Sequence, residues 1–372
     1  MNNSSDSLEL PTVFKKPWLS FEDQVKLLKK RGLLFDSEFN DKKVEYLLST
    51  VGYYRLSGYW YIFQNKSTCD NTDKSLDKNY FEPATTFRKV WDLYTFDEQL
   101  RLIVLHAISH LEIYMRTQLA YCLSKPKTKF KSKAESLSEP EVDYAFGYED
   151  NTNLPNLSPE RHSDFIDKCT IQYNRSQTKF ITHYKEKYDW NHYITLQQNS
   201  GKATINEKPE GFHDLPPYWI LANIMDFGMI LTLYIGANRN IKEDISYNLR
   251  IPASVLESWL KSLNTVRNIC AHHDRLWNRR LNYKVSLPDA NLPKKKYLEF
   301  KNEYKKWRGI SNKTTFTILT ILGFLEWSIY SNNEWHKQVR DLVDTLEPES
   351  LHRMGFPNKW KESPLWSEWL TK

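Results

Sequence analysis

The spacing of hydrophobic positions predicts a mostly α-helical chain. Apolar residues recur at intervals of three and four from about Thr86 to Leu123, which is the period of one helix face. Similar patterns predict helices over 41–51, 159–190, 218–235, 239–249, 253–280 and 312–331. A shorter helix begins after the N-cap residue Ser20 and ends at Gly32. Because there is little period-two alternation and no solenoid-length repeat, we expect an all-α fold.

Polar segments divide this pattern. We expect a loose tail over 1–16, a polar loop over 66–79, an exposed Lys-rich excursion over 125–158 and a second loop over 201–217. These boundaries give an N-terminal helical part, 17–124, and a second helical part, 159–372, packed as one compact unit. The element type of 52–63, which is aromatic and carries two glycines, stays open. The Trp- and Pro-rich segment 353–370 is expected to pack as an ordered cap.

Composition narrows the functional class. The 372 residues are 40% hydrophobic and 14% aromatic, and the net charge of +6 argues against wholesale disorder. The N-terminus has no apolar signal core, and the apolar run Phe316 to Leu325 is too short to span a bilayer. The four cysteines form no CxxC pair. Since no P-loop or GxGxxG occurs, we expect a cytoplasmic protein without cofactor that is neither an ATPase nor a dinucleotide enzyme.

The segment 264–280 concentrates groups that suit phosphate chemistry. Imidazole exchanges a proton near neutral pH, and guanidinium can direct two donors to one phosphate. The polar residues of the segment are Arg267, Asn268, His272, His273, Asp274, Arg275, Asn278, Arg279 and Arg280. This combination, with no evident metal cage, suggests cleavage of RNA.

Helix geometry constrains how these residues cooperate. Asn268 and His272 are four positions apart and share a helix face. Arg267 and His272 are five positions apart, about 140° around an ideal helix. Either the helix distorts near Cys270, or Arg267 and His272 come from different helices that meet across a two-fold axis. The second option predicts a composite site in a dimer.

Two other interpretations of the motif remain. In one, Arg267 caps a helix or pairs with a buried acid, and His272 and Asp274 are surface polar groups. In the other, His272, His273 and Asp274 bind a metal with a distant ligand, which is disfavoured because adjacent residues point in different directions. The pair Arg101 and His106 has the same spacing as Arg267 and His272 but lies in an apolar helix. We therefore expect a structural role for His106.

A second polar pair lies on the long helix. Glu112 and Arg116 are four positions apart and form either an ordinary ion pair or a buried carboxylate that orients an Arg towards phosphate. His106 and His110 share a face of the same helix without the HExxH arrangement, so no metal is expected there.

Basic segments supply candidate RNA-binding surfaces, although such runs can equally be solvated. The first carries Lys125, Lys127, Lys129, Lys131 and Lys133. The remaining candidates are Lys294, Lys295, Lys296, Lys305, Lys306 and Arg308, together with His273, Arg275, Arg279 and Arg280. The interleaved Phe130, Tyr297, Tyr304 and Trp307 either stack on bases or belong to the core.

Several segments together resemble the Abi family of bacterial abortive-infection proteins, the group related to AbiD and AbiF. They are 51–63, 91–102, 111–120, 217–228, 258–279 and 354–357, with Trp360 and Trp366. That family is similar to the HEPN superfamily of α-helical ribonucleases, whose hallmark motif here is Arg267, Asn268 and His272. Glu112 and Arg116 look like the polar positions on an earlier helix of such proteins.

The resemblance implies a HEPN-like helical bundle with helical N-terminal and C-terminal additions. It implies a metal-independent endoribonuclease toxin of a phage-defence toxin–antitoxin system, restrained by a small noncoding RNA. The protein would form a homodimer, and neither DNA nor a membrane is an expected partner. Two alternatives are a non-catalytic RNA-binding protein and a HEPN-like regulatory partner of another enzyme.

Overall fold

The computed structural model describes residues 16–65, 79–124, 144–201, 208, 211–282, 284–289, 301–331 and 334–370. The strand-like pairings in these ranges are isolated bridges, Leu34 with Thr86 and Gln64 with Phe81. The all-α prediction is therefore confirmed. The chain forms two compact units, Met1–Glu98 and Gln99–Lys372. The predictions for 1–15, 66–78 and 125–143 lie outside the described residues.

The described residues of the first unit form three helices and the beginning of a fourth. These are α1 (Phe21–Lys30), α2 (Asp41–Val51), α3 (Tyr53–Trp60) and the first part of α4 (Phe87–Leu123). The Ser20 hydroxyl accepts the N–H of Asp23 at 3.1 Å, which confirms the predicted N-cap of α1. The segment 52–63 becomes α3 and a short 3₁₀ turn, Tyr61–Phe63.

The second unit holds the rest of α4 and the helices that follow. They are α5 (Pro159–Arg175), α6 (Lys179–Tyr188), α7 (Trp190–Asn199), α8 (Tyr218–Leu221), α9 (Phe227–Gly236), α10 (Arg239–Asn248), α11 (Ala253–Ala271), α12 (Lys301–Tyr304), α13 (Thr315–Tyr330), α14 (Glu334–Val343), α15 (Pro348–Arg353) and α16 (Pro364–Leu370). In the described part of the chain, no helix has both the length and the apolar character needed to cross a bilayer.

The predicted helix over 218–235 is interrupted before α9. α8 ends at Leu221, and a 3₁₀ turn follows over Ala222–Ile224. The Asp226 carboxylate then accepts a hydrogen bond from the N–H of Met229 at 2.9 Å and forms the N-cap of α9. The single continuous helix was therefore wrong, because the N-cap at Asp226 sets a new helix start inside an apolar run.

The predicted helix over 253–280 is correct only as far as Ala271, where α11 ends. His273 adopts a left-handed backbone with φ of +60°. Its N–H donates to the Cys270 carbonyl at 3.1 Å, and the N–H of Asp274 donates to the Ile269 carbonyl at 2.9 Å. These bonds satisfy the last helical carbonyls and close the helix. No Gly follows Ala271 to mark the end of the helix, and the sequence pattern therefore predicted a helix that is too long.

The end of the predicted exposed excursion is packed. Tyr148 and Leu154 are fully buried, and the Tyr148 hydroxyl donates to the Pro216 carbonyl at 2.7 Å. A Cβ on Gly236 would lie 2.6 Å from Leu157 Cγ, so α9 approaches this segment closely. The prediction of exposure was therefore wrong for Tyr148, Leu154 and Leu157, whose side chains enter the core, while residues 150–152 are exposed.

The predicted C-terminal cap is confirmed. Met354, Phe356, Trp360 and Trp366 are all buried. The Trp366 indole N–H donates to the Thr320 hydroxyl of α13 at 3.1 Å. The cap therefore covers the most buried helix of the second unit and satisfies a polar group within it.

Gly355 should be intolerant of substitution within this cap. Its φ is +88°, and an added Cβ would lie 2.5 Å from Thr314 Cβ, beside the start of α13. We expect Gly355→Ala to lower the free energy of unfolding by about 3 kcal/mol, from backbone strain and overpacking together. Gly309→Ala is the matched control, because Gly309 has φ of +80° but no neighbour within 4 Å. Its expected loss is about 1 kcal/mol, and equal losses in urea denaturation would contradict the packing argument.

Candidate functional site

Arg267, Asn268 and His272 lie at the exposed C-terminal end of α11. Val266 and Ile269, which alternate with them, are buried and fix the helix against the core. Asn268 and His272 are exposed, and Arg267 is half-buried. The apolar face of α11 thus holds the motif rigidly, while its polar face meets solvent.

Contacts within the motif bear on the predicted alternatives. Arg267 Nη1 donates to Asn268 Oδ1 at 3.4 Å, so the guanidinium reaches towards the face that Asn268 shares with His272. In the described ranges, Arg267 pairs with no carboxylate and the His272 imidazole has no hydrogen-bond partner. The pairing of Arg267 with a buried acid is therefore wrong for these residues. The composite site across a two-fold axis stays a prediction.

The segment after the motif is anchored to the core. Leu276 and Trp277 are buried, and the Thr315 hydroxyl donates to the Leu276 carbonyl at 3.3 Å. The N–H of Leu281 donates to the Lys313 carbonyl at 2.9 Å. The cations of this segment are Arg275, Arg279 and Arg280, of which the first two are half-buried and the last is exposed. They are presented on fixed backbone directly after the motif.

Glu112 and Arg116 form a part-buried ion pair on α4. The Arg116 Nη2 group also donates to the carbonyl of Met225 at 2.6 Å. The Arg116 side chain, only 23% exposed, therefore links α4 to the residue just before the Asp226 cap of α9. The structure therefore shows the predicted intrahelical ion pair, whereas the orientation of Arg116 towards a phosphate stays a prediction.

The residues at the start of α9 lie between Arg116 and α11. A Cβ on Gly228 would lie 3.1 Å from Asp226 Oδ1 and 3.9 Å from Oδ1 of Asn264. Asn264 lies on α11 one helical turn before Asn268. Residues 225–228 therefore contact Arg116 from one side and the motif helix from the other. The sequence analysis did not single out Asp226, Gly228 or Asn264, although Asp226 before a Phe-Gly pair was a visible capping signal.

A cleft of about 300 Å³ opens beside the start of α9. Asp226, Gly228 and Thr232 line it from α9, and Arg161 and Lys168 line it from α5. The described residues place no ion-pair partner within 4 Å of either cation. Asp164 also lines the cleft, so its wall carries carboxylates as well as cations.

The predicted basic surface over 294–308 is only partly described. Lys305 and Arg308 are exposed and Lys306 is half-buried, whereas Lys294, Lys295 and Lys296 lie outside the described residues. Lys125 to Lys133, Phe130 and Tyr297 also lie outside them. Tyr304 and Trp307 are buried, with Trp307 packed on Trp259 at 5.3 Å between ring centroids. These two aromatics are therefore core residues and do not stack on bases.

The sequence analysis missed the partner of His110. The His110 Nδ1 atom lies 3.0 and 3.1 Å from the two carboxylate oxygens of Glu326 on α13. Burial raises the pKa of Glu326, whereas the adjacent His110 lowers it. His106 is exposed, and its ring is tilted against that of His110 with 4.4 Å between the ring centroids. Within the described ranges, no group of three or more His, Cys, Asp or Glu side chains could hold a metal ion.

Comparison with protein families identifies the chain. The family model described as Abi-like protein matches residues 46–278, well over half of the 372 residues. The chain belongs to the Abi-like protein family. The match includes Glu112, Arg116 and the whole of α11 with its motif, and membership suggests a role in abortive infection, a form of phage defence. No curated protein and no solved structure matches this Abi-like protein.

Proposed function

We propose that this Abi-like protein is an endoribonuclease that cleaves RNA without a metal ion and acts as a toxin in the cytoplasm. The observation that carries the proposal is the group of half-buried Arg267 with exposed Asn268 and His272 on a rigidly packed helix end. A base that can exchange protons and a guanidinium without a carboxylate partner are what phosphoryl chemistry requires.

The nucleophile in this mechanism belongs to the RNA. The 2′-hydroxyl oxygen attacks the adjacent phosphorus, the bond from phosphorus to the 5′-oxygen breaks, and a 2′,3′-cyclic phosphate and a 5′-hydroxyl result. His272 accepts the proton of the 2′-hydroxyl, and a protonated imidazole supplies one to the leaving oxygen. Arg267, held by Asn268 at 3.4 Å, stabilises the charge that develops on the phosphate oxygens.

A second copy of the chain would complete the acid–base pair. One imidazole cannot accept and donate a proton at two oxygens in the same displacement step, and His272 is exposed at a helix end that a second copy can approach. The homodimer would place two His272 side chains on opposite sides of one phosphate. Glu112 and Arg116 act in this proposal as positioning residues, since they fix the start of α9 beside α11.

Arg275, Arg279 and Arg280 give the RNA backbone a cationic surface next to the motif. The same surface suits a small noncoding RNA that restrains the toxin by covering the site. Because such contacts release counterions, binding of either RNA should weaken steeply as salt concentration rises.

The proposal is tested by the ends that the purified protein produces. Total RNA incubated in excess chelator should yield fragments with 2′,3′-cyclic phosphate and 5′-hydroxyl ends, because no step requires a metal ion. Arg267→Ala should abolish these fragments, whereas Arg175→Ala, at an exposed site on α5, should leave them unchanged. Intact RNA from the wild-type protein, or loss of cleavage in chelator, would contradict the proposal.

A further inference from the structure

A second cleft, away from the motif, has a volume of about 520 Å³. Thr170 and Asn174 line it from α5, Asn191 lines it from the start of α7, and Phe212 and His213 line it from the segment before α8. We call it the Phe212 cleft. Its volume falls within the range of small-molecule sites.

Aromatic rings give this cleft a rigid planar wall. Phe212 is 42% exposed, and its ring is held edge-on by Trp190 at 5.6 Å between centroids. Trp190 in turn stacks on Tyr193 at 5.3 Å. An exposed Phe that is fixed by a second aromatic offers a face on which a planar ring can stack with little loss of side-chain freedom.

The imidazole of His213 forms another side of the Phe212 cleft. His213 stacks on Phe146, with 3.4 Å between ring centroids and 6° between planes. Its Nδ1 atom lies 2.8 Å from Glu149 Oε2. The carboxylate and the stacked ring together fix the orientation of the imidazole, which leaves its other nitrogen available to a ligand.

Two amides supply matching hydrogen-bond groups. Asn174 and Asn191 are exposed, and within the described ranges neither side chain makes a hydrogen bond. A carboxamide donates and accepts side by side, which is the pattern on the edge of a nucleobase. No Lys or Arg is among the described residues that line the cleft, and Asp214 there pairs with Lys208. The cleft therefore suits an uncharged planar ring better than a phosphate.

We propose that the Phe212 cleft binds one unstacked nucleobase, which stacks on Phe212 and bonds to the amides of Asn174 and Asn191. The base can come from a single-stranded RNA or from a free nucleotide. This site requires no RNA cleavage, so it extends beyond the function proposed for the α11 motif.

Calorimetric titration distinguishes the sources. The full-length protein carrying His272→Ala is titrated with AMP, GMP, CMP, UMP, ribose 5-phosphate and short single-stranded oligonucleotides. We expect binding of at least one nucleotide or oligonucleotide and none of ribose 5-phosphate, which lacks a base. Binding of free nucleotides would identify that source, whereas binding of oligonucleotides alone would identify an RNA strand.

Paired variants assign the binding to the cleft. Asn174→Ala combined with Asn191→Ala should weaken binding at least tenfold, and so should Phe212→Ala, because stacking on one aromatic is lost. The controls are Gln198→Ala on α7 and Phe180→Ala, an exposed aromatic that does not line the cleft. Absence of binding, or affinities that none of the cleft variants changes, would overturn the proposal. Intact RNA after incubation with wild type would contradict only the ribonuclease.

Discussion

Replacing His272 with alanine should lower the rate of RNA cleavage at least 100-fold and remove growth arrest on expression. A positioned acid or base contributes roughly 10²- to 10⁴-fold to proton-transfer reactions. The side chain is exposed and has no hydrogen-bond partner among the described residues. Its removal should therefore leave folding unchanged, as circular dichroism and thermal unfolding would show.

Two controls make the His272→Ala result specific. His183→Ala removes an exposed imidazole from α6 and should retain both cleavage and growth arrest. Arg267→Lys keeps the positive charge but loses the forked donors, so we expect partial activity from it. Equal growth arrest by wild type and His272→Ala would mean that the end of α11 is scaffold, and would favour a non-catalytic RNA-binding protein.

Removing His110 should destabilise the protein by about 2 kcal/mol at pH 8, because the buried Glu326 carboxylate then loses the hydrogen bond that the imidazole donates to it. The Glu326 side chain is only 4% exposed, and His110 Nδ1 lies 3.0 Å from its Oε1 atom. In His110→Ala this carboxylate must either stay charged without its imidazole partner or take up a proton. The free energy of unfolding from urea denaturation measures the loss.

The loss should grow as the pH rises. Burial already places the pKa of Glu326 above its usual 4.5, so the folded state binds a proton that the unfolded state has released. Such a group lowers stability as the pH rises from about 4.5 through the folded pKa. His110 lowers the pKa of Glu326 and so counteracts the effect of burial. Without His110 the folded-state pKa of Glu326 should rise further, and ionising this carboxyl at high pH should cost more stability. The loss of stability in His110→Ala should therefore be smaller at pH 5 than at pH 8.

The charge itself should be the cause of this instability. Glu326→Gln in the His110→Ala background removes the buried charge and should restore most of the stability at pH 8. The pair of His213 and Glu149 provides the comparison, because the Glu149 side chain is 30% exposed and stays hydrated. His213→Ala should therefore show a smaller increase in loss between pH 5 and pH 8. A pH-independent loss in His110→Ala would contradict the argument.

Local sequence signals predicted the elements whose ends are set within the chain itself. Ser20 and Gly32 gave the limits of α1, and the long apolar period gave α4. The pattern also placed Asn268 and His272 on one helix face, because helical spacing fixes which residues share a face. The Trp-rich cap at the C-terminus followed from composition alone.

Tertiary contacts decided where α11 ends and which distant segments of the chain meet. The end of α11 at Ala271 depends on a left-handed His273, a conformation that non-glycine residues rarely adopt. The burial of Tyr148 depends on the Pro216 carbonyl, 68 positions away. The ties of Arg116 to Met225 and of His110 to Glu326 likewise join distant segments. Periodicity reports which face of a helix is apolar, but not what covers it. The sequence by itself therefore determined the motif and the helices, and only packing decided where the motif helix stops and which buried charges are paired.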